Sequence, residues 1–357
     1  MTIADIPALR LSNQQISQTE FNSPSELVKY LGAVQAQDFN ASKWGLGLRL
    51  PGISDAEIEK EFDEGRILRT HIMRPTWHFV APEDIRWITE LTAPRVKALC
   101  AFMNRKMELN EAIFKKTNKL ITRALKGNNY LTRAEIGATL QKRGIAVNDL
   151  RIIYIIMRAE LDTIICSGPR HGKLFTYALT EERAPGSKIL KRDEAIAELA
   201  ARYFISHGPA AMQDFAWWSG LAMSDAKAGI EMVKSELQKE NIDGQTYWYE
   251  NAMNPSKAPT TFLLPIFDEY IIAYKDRTAV FDKDKFGKVI QRGNVISGNT
   301  IVENGKVIGT WTRTIMKDKV VVKPITFIKP SRDQKKSIGA AADHYGSFLG
   351  SKAEINW

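Results

Sequence analysis

The spacing of apolar residues predicts a repeated order of helices and strands, which is clearest in the middle of the chain. Residues 131–144, LTRAEIGATLQKRG, have helical spacing, with Thr132 as N-cap and Glu135 as its capping-box partner. Residues 148–163, NDLRIIYIIMRAELDT, predict a second helix, and residues 164–179, IICSGPRHGKLFTYAL, predict two strands around a turn rich in Gly and Pro. Helix, helix and hairpin follow each other in this order in a winged helix-turn-helix.

The same order is predicted on both sides of this segment. Residues 192–250 contain the helical runs RDEAIAELAARYFISHG, AAMQDFAWWSGL and SDAKAGIEMVKSELQKEN, followed by the short ribbon DGQTYWYE. Residues 23–80 contain SPSELVKYLGAVQAQ, NASKWGLGLRL and SDAEIEKEFDEGR, followed by a strand pair within ILRTHIMRPTWHFV. A long helical stretch over residues 82–126 connects the first segment to the middle one. We therefore expect three winged helices in tandem.

From about residue 259 the pattern changes to candidate strands, within TFLLPIFDEYIIAY, KVIQRGNVIS, TIVENGKVIGTWTRT and KVVVKPITFIK. The pair Asn304-Gly305 between alternating runs is a strong type I′ hairpin signal, and QKKSIGAAADHYGSFLG predicts a final helix. The expected fold class is α+β, with three tandem winged helix-turn-helix units followed by a small C-terminal β-rich, barrel-like domain. The predicted boundaries are 1–125 for the first unit with its bridging helices, 126–188, 189–258 and 259–357.

Composition narrows the class of protein. A chain of 357 residues with 44% hydrophobic content can bury a sizeable core, and its formal net charge of +9 leans mildly toward a polyanionic partner. Cys100 and Cys166 lie far apart in apolar surroundings, which favours buried thiols over a disulfide or a metal site. The N-terminus lacks the pattern of a signal peptide, and no run approaches the eighteen apolar residues of a membrane span. We expect a cytoplasmic protein that does not associate with membranes.

Two glutamines, Gln35 and Gln37, flank an alanine where an apolar helical run should end. On a regular helix, residues two apart point to nearly opposite sides, so these two could not serve one site. Asp38 and Asn40 are both good N-cap residues for a new helix that begins near Ala41. We therefore predict a helix-to-helix corner from which both amides project.

A pair of glutamine amides can hold and steer a water molecule, but it cannot replace a carboxylate as a base. A reaction that the pair assists therefore needs a leaving group that is already activated. A purine alkylated at N7 or N3 is such a group, because its positive charge weakens the glycosidic bond. That bond breaks through an oxocarbenium-like state, which oriented amide dipoles can stabilise. The alternative is that both glutamines are exposed to solvent or cap backbone groups at the corner, since QxQ alone is a weak motif.

Several motifs together resemble one protein family. AVQAQD, WGLGLR, RTHIMRPTWHFV, ISHGPAAMQDFAWWSGL and LLPIFDEYIIAYKDR, spread over essentially the whole chain, are similar to the bacterial winged-helix DNA glycosylases of the AlkZ and YcaQ type. In AlkZ-like members the catalytic motif is a glutamine, an apolar residue and a glutamine, whereas YcaQ-like members have Asp at the third position. Gln35, Ala36 and Gln37 match the AlkZ-type pattern.

The resemblance implies that Gln35 and Gln37 are catalytic, that they orient the attacking water and that they stabilise the developing sugar cation. It implies excision of alkylated purines from DNA, with bulky adducts or interstrand crosslinks as substrates of some members. No lysine accompanies the glutamines as an obvious Schiff-base nucleophile, so we expect a monofunctional enzyme. No Gly-rich phosphate loop, HExxH helix or CxxC pair is present, so neither a metal nor another cofactor is indicated.

Basic and histidine side chains in three regions are candidate contacts to the DNA backbone. For the histidines the alternative is a core or capping role, and for a charged turn it is simple solvation. The adjacent carboxylates of Asp268 and Glu269 would face opposite sides of a strand, which favours a structural role for both. The candidate contacts are Arg69, His71, Arg74 and His78 in the first wing, Arg151, Arg158, Arg170 and Lys173 in the middle unit, and Lys275 and Arg277 in the C-terminal domain.

The expected partner is double-stranded DNA, bound by a monomer with little sequence preference, because the helices at the recognition position are apolar or of mixed charge. The rival hypothesis is a winged-helix DNA-binding protein without catalysis, such as a transcription regulator. A regulator typically dimerises and has a basic recognition helix, which fits this chain poorly. A purely structural interaction module would leave QAQ unexplained.

Overall fold

The computed structural model describes residues 1–250, 261–282, 290–291, 295–296 and 298–357. Helices with short hairpins precede residue 250, and a larger sheet dominates the part of the chain after residue 261. The predicted α+β class is confirmed.

The first segment holds the two glutamines. Ser23 caps its second helix, and Ser54 forms a capping box with Glu57 at its fourth, so local sequence determines where these helices begin. Its elements are α1 (Ile6–Asn13), α2 (Pro24–Leu31), β1 (Val34–Gln35), α3 (Phe39–Arg49), α4 (Asp55–Asp63), β2 (Leu68–Ile72) and β3 (Thr76–Val80).

The bridging region is helical, as predicted, and consists of two helices, α5 (Ile85–Lys106) and α6 (Glu111–Leu125). The helix is interrupted where Glu108 adopts a positive φ of 53°. The side chain of Asn110 then accepts a hydrogen bond from the backbone N–H of Ile113 and starts the second helix.

The middle segment follows the prediction closely. Thr132 and Glu135 form the predicted capping box, and Asn148 caps the next helix. The elements are β4 (Leu131–Thr132), α7 (Arg133–Gln141), α8 (Asp149–Leu161), β5 (Ile165–Ser167), β6 (Thr176–Leu179) and the single turn α9 (Thr180–Arg183).

In the third segment the last predicted helix is too long. It ends at Val233, and the residues from Gln238 onward form a strand that pairs with the next strand around Asp243 and Gly244, both of positive φ. Cross-strand pairing thus decides the structure of a stretch that has helical spacing in isolation. The elements are α10 (Arg192–His207), α11 (Met212–Ser219), α12 (Met223–Val233), β7 (Gln238–Ile242) and β8 (Gln245–Tyr249).

The three segments share one pairing pattern. In the first two, a two-residue strand between two helices pairs with the last strand of the following hairpin, β1 with β3 and β4 with β6. In the third, an isolated bridge between Ala210 and Trp248 occupies the same place, between α10 and α11 and against β8. The internal repetition agrees with the prediction, although the identity and number of winged-helix units and the domain boundaries stay predictions.

The C-terminal part is a curled five-stranded half-barrel with the strand order β15-β14-β13-β12-β9. The Asn304-Gly305 turn is confirmed, since both residues have positive φ between paired strands. Most of the strand pair predicted over residues 288–297 lies outside the described residues. The elements are β9 (Thr261–Leu264), α13 (Glu269–Ile272), β10 (Ile290–Gln291), β11 (Val295–Ile296), β12 (Asn299–Glu303), β13 (Lys306–Ile315), β14 (Lys319–Thr326), α14 (Arg332–Phe348) and β15 (Lys352–Ile355).

One apolar core joins the first segment to the C-terminal sheet. The Trp44 side chain is buried among Tyr345 and Phe348 of α14, and its indole Nε1 donates to the carbonyl of Leu263, 2.7 Å away. A second core packs the β2–β3 hairpin against α10 and α11. The segment between α2 and α3 therefore lies where the first segment meets both the C-terminal sheet and the third segment. Cys100 and Cys166 are free buried thiols, as predicted.

None of the helices in the described ranges is long and apolar enough to cross a lipid bilayer.

Candidate active site

The two glutamines lie on a corner between helices, as predicted. Helix α2 ends at Leu31, and α3 begins at Phe39, where the carboxylate of Asp38 accepts a hydrogen bond from the N–H of Ala41 at 3.0 Å. Sequence analysis missed the strand β1 inside this corner. A two-residue strand has no periodicity of its own, and it exists because Gln35 pairs with His78 of β3.

The backbone of the motif pairs with β3 and is not helical. Beyond Gln35, the N–H of Ala36 donates to the carbonyl of Trp77 at 2.7 Å, and the N–H of Trp77 donates to Oε1 of Gln37 at 3.4 Å. Ala36 between the two glutamines is completely buried in the core. The chain is thus not helical at the motif, so the two amides are not held on opposite sides of one helix.

The two glutamines differ in burial. Gln35 is 9% exposed, and its side-chain Oε1 is buried without a hydrogen-bond partner among the described residues. Gln37 is exposed at the surface. An unpaired buried acceptor costs free energy in the folded state, so a functional reason for Gln35 is expected. One amide is preorganised in the interior, and the other can reach a ligand from outside.

Arg69 of β2 holds this corner from the backbone side. Its Nε donates to the carbonyl of Ala36 at 2.9 Å, and its Nη2 lies 3.5 Å from the carbonyl of Gln37. The guanidinium lies over the rings of Trp77 and Phe175, 4.4 and 4.7 Å from their centroids. Burial lowers the pKa of Arg69 to about 10, which leaves it charged at neutral pH. Predicted as a DNA contact, Arg69 lies beneath the motif and is largely buried.

Glu269 contacts the motif from the C-terminal part. Its Oε1 accepts the backbone N–H of Gln35 at 2.7 Å, its Oε2 accepts the indole N–H of Trp218 at 3.0 Å, and the same Oε2 lies 3.8 Å from Nε2 of His207. Burial raises its pKa, but His207, the Gln35 N–H and the positive charge of Arg74 outweigh burial and lower the pKa below its usual value. A fully buried, ionised carboxylate therefore lies against the motif.

The prediction that Asp268 and Glu269 lie on a strand is wrong. Strand β9 ends at Leu264, and Asp268 caps the short helix α13 by accepting the N–H of Tyr270. The carboxylate of Asp268 also binds the guanidinium of Arg49 at 2.8 and 2.9 Å. Asp268 thus has a structural role, as predicted, whereas Glu269 touches the motif. A sequence signal for that contact does not exist, because the partners lie 234 residues apart.

Both histidines of the first wing lie in the interior. The Nδ1 of His71 lies 2.5 Å from Oε2 of the buried Glu160, and its ring packs against Trp77. His78 is fully buried, with Nδ1 3.0 Å from the carbonyl of Thr76. Burial, and after it the positive charge of Arg74, lowers the pKa of His78 to about 3. These positions correspond to the core or capping role that the sequence left open.

Most of the predicted basic contacts are engaged within the protein. Acidic side chains bind Arg158 and Arg170, carbonyl groups accept from Arg151 and Arg277, and Arg74 lies half-buried in the β2–β3 turn. Of the ten candidates, only Lys173 and Lys275 are exposed residues. The partners are Glu111 and Asp162 for Arg158, Glu59 and the Lys173 carbonyl for Arg170, Met107 for Arg151 and Ile271 for Arg277.

A cavity of about 340 Å³ adjoins the corner on the side of the middle segment. Part of its wall is formed by Arg69 together with Trp77 and Phe175, the two rings over which its guanidinium lies. Another cavity, of about 390 Å³, lies in the C-terminal sheet near Phe281 and Phe327, away from the motif. We assign the candidate site to the first cavity, because Arg69 in its wall contacts the backbone carbonyls of Ala36 and Gln37.

Neutral buried histidine makes stability depend on pH. Folded His78 has a pKa of about 3 against an ordinary value of 6.5, so between these values the unfolded chain binds a proton that the folded protein does not. The contribution of neutral His78 to the free energy of unfolding is fully present above pH 6.5. It is lost as the pH falls toward 3, and at pH 5 the loss is roughly 2 kcal/mol. We expect the thermal midpoint to fall less between pH 7 and pH 5 in His78→Gln than in the wild type. His171→Gln, at an exposed histidine, is the control, and equal falls in wild type and His78→Gln would contradict the prediction.

Comparison with known proteins agrees with the resemblance in the sequence. A family model described as DNA glycosylase AlkZ-like matches residues 28–348, which include both glutamines. A Streptomyces sahachiroi protein, the "Interstrand DNA cross-link repair glycosylase", is 24% identical over 359 residues that cover 96% of this chain and 95% of the relative. The solved structure of Streptomyces sahachiroi DNA glycosylase AlkZ superposes with a TM-score of 0.80 at 20% identity, and the alignment covers 100% of each chain. This chain belongs to the AlkZ-like DNA glycosylase family.

Proposed function

We propose that the protein is a monofunctional DNA glycosylase that hydrolyses the N-glycosidic bond of purines alkylated at N7 or N3. The observation that supports this proposal is the corner between α2 and α3, where Gln35 pairs with His78 and keeps a buried side-chain acceptor without a partner in the described chain, while Gln37 two residues on is exposed. Arg69 and Glu269 fix the backbone of this corner.

The chemistry suits two neutral amides. The bond between C1′ and the purine nitrogen breaks, its electron pair neutralises the cationic base, and the sugar becomes an oxocarbenium ion. An amide oxygen accepts a hydrogen bond from a water molecule and directs the lone pair of the water toward C1′. The water oxygen then bonds to C1′ and loses a proton to solvent. No strong base is required, because the alkylated purine leaves as a neutral molecule.

The structure of the neighbouring lysine supports a monofunctional enzyme. Lys43 follows the motif on α3, and its ammonium group binds Asp55 at 2.8 Å and Glu59 at 2.6 Å. Its side chain is almost fully buried. An ammonium group held by two carboxylates is not available as a Schiff-base nucleophile.

We further propose bulky N7 adducts and interstrand crosslinks as substrates. The Streptomyces relative is named for repair of interstrand crosslinks, and its likeness extends over nearly the whole of both chains. The cavity beside the motif has aromatic walls at Trp77 and Phe175, on which a purine ring can stack.

DNA binding would be largely independent of sequence and carried out by a monomer. The repeated pairing of a short strand with the following hairpin supports three tandem winged helices with the boundaries 1–125, 126–188 and 189–258. Lys173 in the middle hairpin and Lys275 after α13 are exposed cations suited to phosphate contact. The net charge of +9 favours the same partner.

The test is release of free base from duplexes that carry 7-methylguanine, 3-methyladenine, a bulky N7 adduct or a defined interstrand crosslink. We expect release of free base and an abasic strand that breaks only after treatment with alkali. Strand cleavage by the protein alone would contradict the monofunctional assignment. Tight duplex binding with no release from any of the four substrates would favour a non-catalytic DNA-binding protein.

A further inference from the structure

We propose that Glu269 is a positioning residue of the glycosylase site, which holds Gln35 in place and supplies the negative charge that the neutral glutamine pair lacks. The inference rests on the proposed hydrolysis of a glycosidic bond, and it deepens that proposal by adding an anionic group from a distant part of the chain. From the sequence alone, a structural role was expected for this residue.

The first ground is geometry. The two oxygens of the Glu269 carboxylate accept from two neutral donors, the backbone N–H of Gln35 at 2.7 Å and the indole N–H of Trp218 at 3.0 Å. The donors belong to β1 and α11, so the carboxylate connects the motif to a second rigid element. Its orientation is fixed from both sides, as a preorganised group requires.

The second ground is the balance of charge around the carboxylate. Nε2 of His207 on α10 lies 3.8 Å from the carboxylate, and burial lowers the pKa of its imidazole below the ordinary value, as it does for His78 of β3. The positive charge of Arg74 acts on Glu269 from the β2–β3 turn, yet Nε and Nη2 of Arg74 make no hydrogen bond within the described ranges. The carboxylate is therefore held by hydrogen bonds from neutral groups, and its field is not cancelled by a guanidinium bound to it.

The third ground is a pair of buried acceptors in the strand pair that the carboxylate binds. Nδ1 of His78 lies against the carbonyl of Thr76, so it must carry the proton, and the neutral ring then presents Nε2 as an acceptor. That Nε2 and the Oε1 of Gln35 are both buried without a partner in the part of the chain that the structure describes. His78 and Gln35 are opposite each other in the sheet. Two unpartnered acceptors in the strand pair whose backbone the carboxylate binds favour a species that develops positive charge, as the sugar does in the proposed reaction.

The test compares two pairs of variants, each with one shape and two charge states. Wild type and Glu269→Gln form the longer pair, and Glu269→Asp and Glu269→Asn form the shorter pair. The measurements are the single-turnover rate of 7-methylguanine release per folded molecule at saturating protein, the Kd for the same duplex and the thermal midpoint. We expect the neutral member of each pair to be slower by about 10-fold or more, with similar Kd values within a pair.

Asp84→Asn is the matched control. The buried carboxylate of Asp84 also accepts an indole N–H, from Trp87 at 2.8 Å, and it binds Arg202, but it has no hydrogen bond to the motif in the described structure. We expect its rate per folded molecule to equal that of the wild type, even if its thermal midpoint falls.

Equal rates within each pair would overturn the proposal and leave Glu269 with a structural role, and either pair alone decides the question if a member of the other does not fold. These results presuppose that the wild type releases base. A wild type that binds the duplex but releases no base from any of the four lesions overturns the proposed function and this inference together, whereas release that is independent of charge at position 269 overturns this inference alone.

Discussion

We expect that replacing both Gln35 and Gln37 with alanine lowers the single-turnover rate of base release by roughly 10³-fold, while the Kd for duplex DNA stays within about two-fold. The double variant removes both amides that could orient a water molecule. It leaves the hydrogen bonds from Arg69 and Glu269 intact, because both bind main-chain atoms of residues 35–37, and of the corner's hydrogen bonds it removes the long one from the Trp77 N–H to Oε1 of Gln37. The loss should therefore be confined to the chemical step.

The single variants should not contribute equally. Gln35 is buried with a fixed environment, whereas Gln37 is exposed, so Gln35→Ala should lose more of the rate. The two losses should not add, because in the proposed mechanism both amides act on one water molecule. Gln141→Ala, at an exposed glutamine of α7, controls for the loss of an amide elsewhere. Base release that survives in the double variant at more than about a tenth of the wild-type rate would remove QAQ from the mechanism.

Features encoded by neighbours in sequence were predictable. The capping box of Thr132 and Glu135 and the hairpin turn at Asn304-Gly305 each depend on residues within four positions of one another, and both are confirmed. The corner at residues 35–37 was likewise predicted from the N-cap chemistry of Asp38.

Features that depend on distant partners were not predictable. The strand at Gln35 requires His78, and the strand from Gln238 onward requires the hairpin partner that follows it, so helical spacing alone misjudged the second. The role of Glu269 requires a contact across 234 residues. Net charge indicated nucleic acid, but it could not show that most guanidinium groups of the predicted contacts are already bound to carboxylates or carbonyls.

The role of Arg69 also depends on distant partners and could not be predicted from the sequence. Its substitution tests whether it contacts a phosphate or holds the backbone of the motif. As a contact to a phosphate it would be replaceable by lysine, since a point charge is sufficient for that role. In the structure it spans the carbonyls of Ala36 and Gln37 while lying over Trp77 and Phe175, which a lysine cannot reproduce.

We therefore expect Arg69→Lys to lower the rate of base release by roughly 10²-fold at saturating protein, with little change in the Kd for duplex DNA, because a small displacement of Gln37 is enough to misdirect the water. Lys173→Gln is the reference for the proposed phosphate contact, and we expect it to weaken binding and to reduce the slope of the salt dependence by about one. The rate and the salt dependence of binding are measured for each variant on one 7-methylguanine duplex. If Arg69→Lys keeps the wild-type rate, or if Arg69→Ala shows the reduced salt slope of Lys173→Gln, then Arg69 contacts phosphate after all and the corner does not need it.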